Sequence, residues 1–141
     1  MALNNLQIEQ KIASICKNEL SIVAAFLFGS YAKGKEKSSS DIDVAILLSE
    51  MKTSDFNPLG FATELEKKLG SMVDVVILNN AGEALKFEVR SYGKLIFERS
   101  SQQRKRFEVK SRKYYEDFLY FHKNYVNKVL YGGINGKSTP S

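Results

Sequence analysis

The sequence predicts an α/β domain with a small mixed β-sheet of about four strands, flanked by helices and followed by a long C-terminal helix. Segments with apolar residues at three- and four-residue steps alternate with short apolar runs rich in Val, Ile and Phe, which is typical of helices alternating with buried strands. The chain has 141 residues, of which 43% are hydrophobic, and this suffices for one domain with a substantial core.

The first half is predicted to contain one helix and two strands. Residues 6–20 carry apolar side chains at helical spacing, with Cys16 on the apolar side. The runs at 21–30 and 41–49 are typical of buried strands. The link between Ser30 and Asp41 is too short and polar for a full crossover helix, so the sheet is expected to be mixed.

The second half of the chain is also predicted to alternate helices and strands. Residues 61–70 form a helix closed by Gly70, and residues 71–79 form a buried central strand that contains Asp74. A helix over 81–90 and a short strand over 94–98 follow. Residues 102–131 form one long helix with two adjacent apolar rows, which are Tyr114, Phe118, Phe121, Tyr125 and Val129, and Tyr115, Leu119, His122, Val126 and Leu130.

Composition excludes several classes of protein. No apolar run approaches the ~18 residues of a membrane helix, so no membrane association is expected. The single cysteine, Cys16, excludes an internal disulfide and favours a reducing, cytoplasmic location. One cysteine and one histidine also exclude a zinc site built from those ligands within one chain.

The net charge of +5 at first suggests a nucleic-acid binder, but the charge is unevenly placed. Residues 1–100 hold 12 basic and 13 acidic residues, whereas residues 101–141 hold 9 and 3. The surplus therefore lies in the C-terminal segment. We expect that segment to be a docking surface, with packing of its apolar stripe on its own domain as the alternative.

Three carboxylates lie in or beside apolar strands, where burying a charged group costs free energy. Asp41 and Asp43 are two residues apart on one strand, so their side chains share a face, and Asp74 interrupts an apolar strand. If the two strands are neighbours, the three carboxylates converge and require a compensating cation. Oxygen ligands at this density favour Mg²⁺ or Mn²⁺.

A Gly29-Ser30 pair follows the first strand directly. Glycine allows a sharp turn there, and Ser30 can cap a short helical turn whose free N–H groups would bind phosphate. A phosphate cradle at the end of one strand and metal carboxylates on the next together predict a nucleoside triphosphate site.

The string GSYAKGKEKSSSDIDVAILL closely resembles the signature of the DNA polymerase beta-like nucleotidyltransferases, and Gly29, Ser30, Asp41, Asp43 and Asp74 match it residue by residue. The ten-residue spacing and small size most resemble the minimal nucleotidyltransferases (MNT), the antitoxins of HEPN/MNT toxin–antitoxin pairs. The resemblance covers about residues 20–98. It implies the polymerase beta-like fold, with residues 1–100 as the nucleotidyltransferase domain and residues 101–141 as a helical extension and flexible tail of the same globular unit.

The resemblance also implies roles for individual residues. Asp41 and Asp43 would hold two Mg²⁺ ions, or Mn²⁺, and Asp74 would complete the second site and help to deprotonate the attacking hydroxyl. Gly29 and Ser30 would bind the β- and γ-phosphates of ATP. Lys33 would add positive charge beside them, as would Lys35 and Lys37.

In the antitoxin subfamily, AMP passes from ATP to a tyrosine of a HEPN ribonuclease toxin and silences it. The C-terminal helix is then a surface for that toxin or for a further copy of the chain, and nucleic acid is not expected as a direct ligand. Three alternatives remain. The same site can act on a small molecule or an RNA end, the chain can neutralise its partner by binding alone, or the basic tail can bind nucleic acid.

Overall fold

A computed structural model describes residues 3–31, 41–50 and 55–132. The helices are α1 (Asn5–Asn18), α2 (Pro58–Leu69), α3 (Glu83–Tyr92) and α4 (Ser101–Asn127). The strands are β1 (Ile22–Phe28), β2 (Ile42–Leu48), β3 (Val73–Ile77) and β4 (Lys94–Glu98). A short 3-10 turn, Leu78–Asn80, follows β3, and a π-helical turn, Lys128–Gly132, follows α4. No helix within the described ranges is long and apolar enough to cross a membrane.

The four strands form one mixed sheet in the order β3-β2-β1-β4. β1 pairs antiparallel with β2 and with β4, whereas β2 and β3 are parallel. The mixed sheet expected from the short link after Ser30 is therefore confirmed. Helices α1 and α2 cover one face of the sheet, and α3 and the first part of α4 cover the other, so the sheet lies between two apolar layers.

The position predicted for the third strand is wrong. β3 lies at the edge of the sheet rather than in its centre, and of its five residues only Val73 is buried. Asp74 is exposed, because an edge strand has a neighbour on one side only. The strand also ends earlier than predicted. The side chain of Asn79 turns back, donates to the Leu48 carbonyl (2.9 Å) and accepts from the Leu48 N–H (2.9 Å).

The ends of α1 and α2 follow from their capping residues. At the start of α1, Asn4 and Gln7 form a reciprocal capping box. α2 begins three residues before the predicted start, because Asn57 caps it and Pro58 occupies its first turn. It ends, as predicted, at Gly70, whose φ of +70° is in the left-handed region.

Helix α4 is attached to the domain through its first half only. Phe107 packs against the core, and the Ser111 hydroxyl, buried beneath the helix, accepts a hydrogen bond from Arg90 (2.8 Å). From Glu116 to Gly132 every residue except Val126 and Gly132 is exposed. The apolar stripe therefore does not simply cover the chain's own sheet.

A single arginine joins the end of α1 to β4. The Arg99 guanidinium donates to the carbonyls of Cys16 (3.0 Å), Lys17 (3.0 Å) and Glu19 (3.3 Å), and to that of Ile22 (2.9 Å). The carbonyls of Cys16, Lys17 and Glu19 lie at the C-terminal end of α1, where a cation complements the helix dipole. Beneath this cap, burial raises the pKa of the Cys16 thiol to about 12, so the thiol is protonated at neutral pH.

We expect Arg99→Ala to lower the free energy of unfolding by about 1–2 kcal/mol, because it leaves the α1 carbonyls without their charged donor. Arg112→Ala is the matched control, since Arg112 is an exposed arginine of α4. Urea denaturation of both variants measures the difference. Equal stability losses in the two variants would contradict the capping role.

Candidate active site

The end of β1 is pressed against a carboxylate of β2. Phe28 is the register partner of Asp43, and Gly29 follows with a φ of +70°. A Cβ atom at position 29 would collide with Oδ2 of Asp43. Position 29 therefore favours glycine for its backbone conformation, and a Cβ there would also force the Asp43 carboxylate to move.

The parallel pairing of β2 and β3 places two carboxylates side by side. Asp43 is the register partner of Asp74, so both side chains project from the same face of the sheet. This is the face covered by α3 and α4, because Ala45 and Leu47, which follow Asp43 in alternation, pack in that layer. Asp41 immediately precedes β2 and is exposed. The strands that carry Asp43 and Asp74 are therefore neighbours, which is the condition on which the carboxylates were expected to converge.

The carboxylates form a concentration of negative charge. Burial raises the pKa of the Asp43 carboxyl, and the charges of Asp74, Asp41 and Glu88 raise it further. Within the described ranges, no ion pair links a lysine or arginine to Asp41, Asp43 or Asp74. A divalent cation would offset this concentration of negative charge.

Glu88 was not predicted from the sequence. It lies on α3 between Phe87 and Val89, and no motif marks it, since only the packing of α3 over the sheet brings its charge toward Asp43. The available signal was only an acidic residue on the helix predicted over 81–90.

The carboxylates of Asp41, Asp43 and Asp74 fit a hard divalent cation that is shared with substrate phosphates and water. Among the residues described, no three Asp, Glu, His or Cys side chains converge to hold a metal ion by themselves. Mg²⁺ in proteins is usually held by one or two carboxylates, with substrate phosphates and water completing its octahedron. The adjacent carboxylates of Asp43 and Asp74, with Asp41 nearby, have the chemistry for such a shared site.

The structure describes only the first residues of the predicted phosphate-binding segment. Ser30 is half-buried in the turn after Gly29. The helical turn that Ser30 was expected to cap, together with Lys33, Lys35 and Lys37, falls outside the described residues. The assignment of these lysines to phosphate therefore stays a prediction.

We expect Gly29→Ala to destabilise the fold more than Gly70→Ala does. Both glycines have a φ of +70°, which costs another residue about 1–2 kcal/mol, but only at position 29 does the added methyl group also meet Asp43. At position 70 nothing lies within 4 Å. Chemical denaturation of the two variants isolates the contribution of the collision, and equal losses would show that Asp43 does not constrain residue 29.

The raised pKa of Asp43 predicts a pH-dependent gain in stability for Asp43→Asn. A carboxyl whose pKa is higher in the folded chain stabilises the fold while protonated, and this contribution is lost as the pH rises through its folded pKa. The asparagine variant should therefore unfold at higher urea than the parent at about pH 7 without divalent cations, and the difference should shrink toward about pH 4. Asp55→Asn, at an exposed site, is the control, and a pH-independent difference would contradict the charge cluster.

Comparison with known proteins places this geometry in a family. The model of the family "Polymerase beta, Nucleotidyltransferase" matches residues 10–102. A Methanocaldococcus jannaschii protein named as a candidate protein adenylyltransferase is 36% identical over 84 residues, which is 60% of this chain and 88% of that protein. Protein adenylyltransferase MntA of Shewanella oneidensis is 31% identical over 90 residues, 63% of this chain and 64% of that protein.

Solved structures agree with the sequence match. A chain from the crystal structure of a toxin–antitoxin with AMP-PNP has a TM-score of 0.71 and 27% identity, covering 86% of this chain and 98% of that one. A chain from the complex of tri-AMPylated Shewanella oneidensis HEPN toxin with MNT antitoxin has a TM-score of 0.67 and 25% identity, covering 90% and 99%. The mixed four-stranded sheet, the aspartates on its neighbouring strands and these matches lead to one conclusion: the chain belongs to the polymerase beta nucleotidyltransferase family.

Proposed function

We propose that this chain transfers AMP from ATP to a tyrosine hydroxyl of a cognate HEPN-family toxin and thereby neutralises it. The observation that carries the proposal is the register pairing of Asp43 with Asp74 beside Gly29, which gathers carboxylates next to a strand-end turn. Two curated relatives are named for protein adenylylation, and one structural neighbour contains a tri-AMPylated HEPN toxin. The neighbour crystallised with AMP-PNP supports ATP as the nucleotide.

The carboxylates would act as the ligands of Mg²⁺, with Mn²⁺ as a substitute. Asp41 and Asp43 would bind two ions, and Asp74 would share the second, because these are the carboxylates at the charged edge of the sheet. When bound, the ions supply positive charge that offsets the charge of the triphosphate. Gly29 and Ser30, with Lys33, would contact the β- and γ-phosphates.

The chemistry is an in-line displacement at the α-phosphate. The acceptor oxygen forms a bond to the α-phosphorus while the bond to the bridging oxygen of the β-phosphate breaks, so AMP is transferred and pyrophosphate leaves. Asp74 is exposed, and its carboxylate is therefore open to an incoming hydroxyl whose proton it can accept. Asp43 is less accessible and is held against Gly29, so its role is to fix geometry at the reacting phosphate.

Incubation with α-labelled ATP, Mg²⁺ and the cognate HEPN-family toxin tests the proposal. We expect label on a tyrosine of the toxin, and we expect Asp43→Asn or Asp74→Asn to reduce the rate by about 100-fold or more, since each removes a carboxylate from the reacting phosphate. γ-labelled ATP should leave no label on the toxin, because that phosphate departs in pyrophosphate.

Asp55→Asn is the matched control, because Asp55 is exposed and its neighbour Phe56 packs on the opposite face of the sheet. Toxin neutralisation that persists in Asp43→Asn without ATP would overturn the proposal in favour of neutralisation by binding. Label found on RNA ends or on a small molecule, and never on the toxin, would favour the corresponding alternative acceptor.

A further inference from the structure

The last part of the long helix is exposed along almost its whole length. We call residues 116–132 the arm. Large apolar side chains of the arm are between 47% and 67% exposed, and they are Phe118, Leu119, Tyr120, Phe121, Tyr125, Val129, Leu130 and Tyr131. Monomeric proteins rarely expose so large a continuous apolar surface unless it meets another molecule.

One side of the arm is continuous with a cavity at its root. The cavity has a volume of about 330 Å³ and lies between α3, α4 and the end of β2, with Lys86, Lys110 and Tyr114 in its lining. From Tyr114, four further side chains follow at steps of three and four residues along one face of the helix, and they are Phe118, Phe121, Tyr125 and Val129. We call these five residues the aromatic row.

The parts of the given sequence outside the described ranges do not have the composition to cover this row. Residues 1–2, 32–40, 51–54 and 133–141 are mostly small or polar, and their large apolar residues are only Met1, Met51 and Ile134. These segments therefore supply no apolar counterface of matching size.

The charge of the arm favours a protein over a nucleic acid. Residues 101–115 hold six basic residues and one acidic residue, whereas the arm holds two of each. The basic surplus and the exposed aromatic surface therefore occupy different halves of the helix. A neutral arm offers little to a phosphate backbone, whose affinity depends on cationic contacts, but suits an apolar protein surface.

The solved structures similar to this chain favour a toxin as that protein. The family model ends at residue 102, so α4 lies almost wholly beyond the shared catalytic domain. The two chains from toxin–antitoxin complexes match 86% and 90% of this chain, whereas residues 1–102 alone make up only 102 of its 141 residues. Both matches thus extend into α4, which is shared with chains that were crystallised beside a toxin.

We infer that the aromatic row is the docking surface for the toxin of the proposed function, on which this inference rests. The toxin would lay an apolar surface along Phe118, Phe121 and Tyr125. One end of that surface would enter the cavity, whose lining includes both Glu50 and Lys110. The domain would thereby hold its acceptor through an element separate from the catalytic edge.

Titration calorimetry of the full-length chain with the cognate toxin tests this docking surface. Phe121→Lys and Tyr125→Lys should each raise the Kd about tenfold or more, because each places a charge in the apolar contact. Phe121 and Tyr125 are 67% and 66% exposed, so circular dichroism should show unchanged folding.

Asn127→Lys is the matched control. It adds the same charge at an exposed position of the arm that helical geometry places on the side opposite the row. Its Kd should change less than about twofold. A loss of affinity in Asn127→Lys equal to that in Phe121→Lys would overturn the assignment of the row. Unchanged affinity in both Phe121→Lys and Tyr125→Lys would also overturn it. The same holds if these substitutions only dissociate a dimer of this chain or only release bound RNA.

Asp43→Asn separates failure of this inference from failure of the proposed function. It should bind the toxin with the parent's Kd while transferring no AMP. If row variants lose binding but no AMP transfer is seen with the parent chain, the docking surface stands and the proposed reaction is wrong. If transfer proceeds equally well in the parent and in the row variants, the reaction stands and the docking surface is wrong.

Discussion

The close approach of Gly29 to Asp43 is the constraint on which the charged edge of the sheet depends. β1 can end directly against the Asp43 carboxylate only because residue 29 has no side chain and adopts a positive φ. The antiparallel pairing of β1 with β2 sets this contact, and the parallel pairing of β2 with β3 then adds Asp74 on the other side. A slip of one residue in either pairing would turn Asp43 toward the opposite apolar layer.

Burial of a carboxylate and repulsion by its neighbours are the cost of this arrangement. Burial raises the pKa of Asp43, and the charges of Asp74, Asp41 and Glu88 raise it further, so the ionised carboxyl destabilises the fold. Tight packing of Ile42 and Val44, both fully buried on the opposite face, holds the strand in place against that repulsion. Strain of this kind is typical of catalytic sites, where charge is arranged for a ligand rather than for the isolated fold.

The strands and helices could be read from periodicity because each buries a regular face, and the Gly70 cap could be read because a left-handed residue ends a helix there. The mixed sheet followed from the length of one link. The edge position of β3 could not be read, because a short apolar run looks the same in a central and in an edge strand until its neighbours are known. Neither the proximity of Glu88 to Asp43 nor the cavity at the root of the arm could be predicted, since both arise from packing between elements distant in sequence.

The attachment of α4 has a consequence for how such a chain can evolve. Its first half is fixed by Phe107 and by the bond from Arg90 to Ser111, whereas the arm contributes almost nothing to the core. Substitutions in the arm should therefore change the stability of the fold very little, and they should not alter the arrangement of the aspartates. If the arm is the docking surface, its recognition could diverge among related chains while the sheet stays unchanged.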